Sequence, residues 1–302
     1  MRKNIFCLIF CTGLIIQSVC GQDRTLNYSS ERKQTTILVS AAAGSVLFFG
    51  SATYLIYYKT YEPGRFHFEN DFKSFLQVDK LVHSYGSYVA TNLWYSGLKA
   101  AGLPKKKALL WGGALGFIPL TPKEIFEGFS EPAGFSWGDI LANAIGPAMF
   151  VSQELLFDEQ IVRYKSSFSR SIYAKQSNGL LGKTVFESYS EDLNGHSYWF
   201  SFNASRIFPG SKMPRWINIA AGYSANGMYG AYDNPSSYRD VPIPETQRYR
   251  QFLLSPDIDW SKIKTRSGFL KAVFYGLNFI KVPFPAIEIS SKGQLHGYWL
   301  YF

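Results

Sequence analysis

The spacing of the apolar residues changes once along this 302-residue chain, and that change limits the fold more than any other feature. Up to about residue 159 the spacing is helical. From Val78 the apolar positions return at Leu81, Val82, Tyr85, Val89 and Leu93, which is one face of a helix. Gly102-Leu103-Pro104 breaks that face, Lys105–Lys107 open a short apolar helix running to Phe117, and Pro119 ends it. Thr121-Pro122-Lys123-Glu124 has the form of a capping box with proline at the first helical position. Ser136-Trp137-Gly138-Asp139 repeats the signal before a helix expected to reach about Leu156 and to bend at Pro147.

Beyond residue 160 the pattern is that of strands. Tyr198 to Ile207, Ile217 to Ser224, Tyr249 to Trp260 and Leu295 to Phe302 are rich in aromatic and β-branched residues. Asn194-Gly195, Pro209-Gly210, Asn226-Gly227 and Asn234-Pro235 mark turns between them. One amphipathic helix interrupts, with Phe269, Leu270, Val273, Phe274, Leu277 and Ile280 on one face and Pro283 and Pro285 as its stop. The expected fold is therefore α+β: an N-terminal helical bundle at 70–159, then an aromatic-rich antiparallel β region at 160–302 with one amphipathic helix. The aromatic C-terminus resembles the last strand of an outer-membrane barrel. Such barrels need about eight strands, and five or six are legible here.

The N-terminus carries an address. Arg2 and Lys3 precede the apolar run Ile5 to Ile16, and the small residues Ser18, Cys20 and Gly21 follow, so residues 1–21 read as a signal peptide. All three cysteines, Cys7, Cys11 and Cys20, lie inside it, and cleavage after Cys20 or Gly21 removes disulfide and thiolate chemistry together. A lipoprotein would instead keep Cys20 as its acylated first residue. The segment 22–69 then holds a linker and an uncharged run at 37–58, long enough to span hydrocarbon or to serve as a core helix of the bundle. The expected setting is exported and membrane-associated.

Charge separates the halves. Residues 1–159 hold 14 basic and 13 acidic side chains, and 160–302 hold 17 and 9, so the second half carries +8 of the net +9. Those basic residues are dispersed, match no nucleic-acid motif and belong to an exported chain, which excludes nucleic acid and leaves an anionic membrane surface as the expected partner. The pattern names no cofactor, protein partner or oligomeric state. Two sequons, at Asn27 and Asn203, are short enough to arise by chance.

The informative polar residues sit on the apolar helices. Asp79 and His83 are one turn apart, Glu124 and Glu127 are at i, i+3, and Asp139 and Asn143 are again one turn apart. An isolated charge among apolar helices costs several kcal/mol, so these groups are expected to meet one another or a cation. Asp79, His83, Glu127 and Asp139 are candidate metal ligands, and with Glu124 and Asn143 they are candidate acids, bases or positioning groups. A structural polar cluster is the competing reading: Glu124 and Asp139 as helix caps, Lys80 and Lys123 as ion-pair partners of nearby acids.

Three blocks occur in order: Asp79-Lys80-Leu81-Val82-His83; Lys123-Glu124 with Glu127-Gly128-Phe129; and Phe135-Ser136-Trp137-Gly138-Asp139 with Asn143 and Gly146. In this the chain resembles the bacterial family of predicted periplasmic lipoproteins of unknown function (YfiM-like), and it is similar in motif to VanZ-like helical proteins. The resemblance covers about residues 70–150 and implies a cell-envelope setting, on the periplasmic side, in which the marked residues act together. Two functions follow as expectations. One is a membrane-associated structural or interaction protein whose polar cluster sets helix register. The other is an envelope enzyme, a metal-dependent hydrolase among its forms, acting on a lipid or lipid-linked substrate through Asp79, His83, Glu124, Glu127 and Asp139.

Overall fold

The structure, a computed structural model, describes residues 64–302 apart from 132, 209 and 211, together with 35–36, 38–40, 42–48, 50–51 and 54. The expected signal peptide, Cys20 and the Asn27 sequon lie outside the described residues. The chain divides into two compact units: Gly86–Glu159 with residues up to Phe72, and Gln160–Phe302 with Lys73–Tyr85.

The first unit is helical. A short strand β1 (Phe68–Glu69) precedes helix α1 (Val78–Ala100), which belongs to this unit from Gly86 onward. Helix α2 (Lys105–Phe117), helix α3 (Thr121–Glu127), strand β2 (Phe135–Ser136) and helix α4 (Trp137–Phe157) follow. Two glycines let α1 and α2 close on each other. A Cβ on Gly116 would lie 2.9 Å from the Thr91 Cα, and one on Gly112 would lie 3.0 Å from the Tyr95 backbone nitrogen. Leu98, Leu103, Ala108 and Leu115 form the apolar centre of this hairpin. Leu38 joins that cluster, with Ala42 packed against it, whereas Val39, Leu47 and Phe48 of the same apolar helix are exposed. The described part of 37–58 thus contributes one edge to the bundle. Helix α4 is long and apolar enough to cross a membrane by length and composition.

One helix start departs from expectation. Thr121 is not an N-cap: the 3₁₀ turn Ile118–Leu120 runs straight into α3, Leu120 is itself helical in backbone angle, and no side chain caps the helix. A capping box needs an extended residue ahead of the first turn, and here there is none. Ser136 does cap. Its backbone is extended and its Oγ accepts from the Asp139 N–H at 3.0 Å. Strands β1 and β2 pair in parallel, Phe68 opposite Phe135 and Glu69 opposite Ser136, and three ring pairs meet edge to face there: Phe66 with Phe129, Phe68 with Phe135, and Phe135 with Trp137.

The second unit is built on strands β3 (Val162–Phe168), β4 (His196–Asn203), β5 (Ile217–Asn226), β8 (Tyr249–Ile258), β9 (Phe284–Ser290) and β10 (Leu295–Tyr301). They form one antiparallel sheet in the order β10-β9-β8-β5-β4-β3, and a small hairpin of β6 (Ser237–Tyr238) and β7 (Val241–Pro242) stands apart from it. The expected amphipathic helix is α8 (Gly268–Leu277), but it is not alone among the described residues. Three short helices, α5 (Ile172–Gln176), α6 (Val185–Glu191) and α7 (Ala204–Ile207), each start at a side-chain cap, from Ser171, Thr184 and Asn203. Helices this short do not repeat an apolar face often enough to register as a period. The Asn203 cap also ends β4 four residues short of Ile207. Its side chain is buried and donates to the Arg215 carbonyl at 2.7 Å, which ties that sequon into the fold.

Strands β3 and β9 are additions to the sequence reading. Pro285, expected as a helix stop, lies in β9 outside the ladder to β8, which runs only from Leu254 opposite Ile287 to Gln251 opposite Ser290. The sheet curls. Lys165 of β3 reaches Asp257 of β8, Ser197 of β4 reaches Tyr301 of β10, and a parallel bridge from Ser166 to Ile280 sets the approach to β9 against the free edge of β3.

Candidate functional site

Helix α3 has seven residues and presents Glu124 and Glu127 inward on one face, as their i, i+3 spacing requires. Helix α4 begins with Asp139 in its first turn, held by the Ser136 cap, and places Asn143 one turn later, both buried. One oxygen from each of Glu124, Glu127 and Asp139 lies within 4.8 Å of the others. Lys123 Nζ is 2.7 Å from Glu127 Oε2 and 3.5 Å from Glu124 Oε1. Asn143 donates from Nδ2 to Glu124 Oε1 at 3.3 Å.

Electrostatics follow from burial. The Glu124 side chain has no solvent exposure, and leaving water pushes its carboxyl up to about 9. Lys123 opposes the rise, and the neighbouring Glu127 and Asp139 charges add to it. At neutral pH Glu124 is therefore a carboxylic acid, able to donate to Glu127 while it accepts from Asn143. Three carboxyl groups at this spacing could also hold a hard divalent cation, which takes oxygen ligands.

Of the sequence candidates, Glu124, Glu127, Asp139 and Asn143 are thus brought together. Asp79 and His83 lie on the first turns of α1, in the part of that helix that belongs to the second unit, with His83 Nε2 3.8 Å from Asp79 Oδ1 and Lys80 paired with Asp79 at 2.9 Å. The residue ahead of α3 makes no side-chain cap, and the Asp139 N–H is held by the Ser136 cap.

The sequence reading passed over a second buried polar group. Lys165 and Asp257 are both fully buried at 2.7 Å, and Ser201 donates to Asp257 at 2.6 Å. The available signal was a lysine inside an aromatic stretch, and β3 was not recognised as a strand.

Neither characterised proteins nor solved structures yield a match to this chain. Residues 66–154, which contain every candidate side chain of the helical segment, match the model of a family described as Predicted periplasmic lipoprotein (DUF2279), in keeping with an exported, periplasmic-side, membrane-associated chain.

Proposed function

We propose that this is a membrane-associated structural or interaction protein of the cell envelope, and that the carboxyl cluster is the internal tie between α3 and α4. One observation carries the reading: Glu124 is fully buried, takes a hydrogen bond from Asn143 and sits beside Lys123 and Glu127, so groups of the protein itself surround it. The family description supports the envelope setting. Elemental analysis of the purified chain, paired with thermal unfolding with and without a chelator, tests it. No bound metal and an unchanged midpoint are expected.

A second reading, a metal-dependent envelope hydrolase acting on a lipid or lipid-linked substrate, draws support from the 4.8 Å convergence of Glu124, Glu127 and Asp139. The sequence adds Asp79 and His83 to it as base or ligands. Stoichiometric divalent metal and a midpoint lowered by the chelator would replace the first reading with this one.

A further inference from the structure

The sheet of the second unit is inverted in polarity. Along β8, Gln251, Leu253, Ser255 and Asp257 are buried while Phe252 and Leu254 between them are exposed. Along β9, Glu288 and Ser290 are buried and Ile287 and Ile289 are exposed. The inner face closes on its own polar groups: Lys165 on Asp257, Ser197 on Tyr301 at 3.1 Å, Trp199 donating to Ser167 at 3.0 Å, Tyr298 donating to Glu288 at 2.8 Å. An aqueous sheet does the opposite, and polar-in, apolar-out alternation is the pattern that hydrocarbon selects. The outer face of β3 and β4 is covered within the unit, where Tyr85 packs on Tyr164 and Tyr198. The outer face of β8, β9 and β10 is bare among the described residues, up to Trp299 at 90% exposure. Met213, Ile217, Ile219, Leu254, Ile287 and Trp299 line a shallow apolar groove of about 590 Å³ on that face.

Charge is distributed by end. The register puts the connections 204–216 and 259–283 at one end of the sheet, where Ile217 faces Ile258 and Phe284 faces Tyr301. These two connections carry eight lysines and arginines and a single acidic residue, Asp259. The connections at the other end, 169–195, 227–248 and 291–294, carry six basic and six acidic residues. The basic end also bears the exposed rings of Phe208, Trp216, Phe269 and Phe302. Basic residues beside amphipathic aromatics match an anionic headgroup layer, and the bare aliphatic face matches the acyl chains beneath it.

We infer that the outer face of β8–β9–β10 seats in an anionic phospholipid bilayer, with the basic, aromatic end of the sheet at the headgroups. This deepens the membrane-associated reading and is separate from the carboxyl tie, so Glu124→Gln, which tests the tie, leaves it unchanged. The test uses the full chain with Cys7, Cys11 and Cys20 changed to serine and a polarity-sensitive dye on Ile287→Cys, or on Glu245→Cys at the neutral end as control. Both variants are first checked for unaltered circular dichroism, and Leu254→Cys replaces Ile287→Cys if that variant fails to fold. In vesicles of phosphatidylcholine with phosphatidylglycerol, the dye at 287 is expected to shift to the blue and to be quenched by lipid brominated on its acyl chains, while the dye at 245 does neither. The shift is expected to be smaller in pure phosphatidylcholine and to be lost on the triple reversal Lys264→Glu, Arg266→Glu, Lys271→Glu. A dye at 287 that stays quenchable by aqueous iodide in the anionic vesicles overturns the inference. So does a dye already shielded without lipid in a chain that sediments as a dimer, because a second copy then covers the face.

Discussion

Replacing Glu124 by glutamine separates a proton-holding tie from a cation site. Folded Glu124 keeps its proton to about pH 9, and the unperturbed carboxyl releases it near 4.5. The folded state therefore binds the proton more tightly, so its stabilising contribution is complete below pH 4.5 and fades as the pH rises toward 9. At about 1.4 kcal/mol per unit, this gap sets a ceiling of about 6 kcal/mol, reduced in practice by Lys123 and by rearrangement around the neighbouring carboxylates. Urea unfolding followed by circular dichroism between about pH 5 and pH 9 should show the helical unit losing stability with a slope of up to about 1.4 kcal/mol per pH unit. Glutamine has the same shape, is always neutral and can both accept from Asn143 and donate to Glu127. Glu124→Gln should thus stay within about 1–2 kcal/mol of the parent at neutral pH and lose most of the slope. A parent chain that gains stability over this range, or a Gln variant that unfolds while the parent is chelator-sensitive, refutes the tie and leaves Glu124 an ionised cation ligand.

Other perturbations reach other parts of the fold. Ser136→Ala removes the cap on α4 and should cost about 1 kcal/mol in urea unfolding, whereas Thr121→Ala, at a position that caps nothing, should change little. Gly116→Ala forces a methyl against the Thr91 backbone and should destabilise by about 1–3 kcal/mol, read as a lower thermal midpoint. Lys165→Met leaves Asp257 buried without its cation and should cost about 3–5 kcal/mol; the double variant Lys165→Met, Asp257→Leu should recover part of that loss.

Much of the order of elements was legible locally. The stripe from Val78 to Leu93, the break at Gly102-Leu103-Pro104 and the aromatic runs after residue 196 each record a preference expressed within one helix or strand. Caps were legible only as candidates, because the same Ser/Thr-x-x-acid spelling serves both a true N-cap at Ser136 and a mid-helical Thr121, and backbone angles outside the motif separate them. The pairing of β3 and β9 was not legible: a lysine in one and a proline in the other suit a strand only when the partner strands leave room for them.

The amino-acid order by itself determined an α+β chain with an acid-bearing helical half and a basic aromatic half. It also placed Glu124 with Glu127, and Asp139 with Asn143, on shared helix faces, since helical periodicity alone aligns side chains three and four apart. Only the tertiary structure decided that these four meet, that Glu124 is sealed from water and holds its proton, and that the sheet turns its polar face in and its apolar face out. Those facts depend on which distant segments exclude solvent from each group, and alternation along a single strand says which side chains share a face without saying which face the rest of the chain will cover.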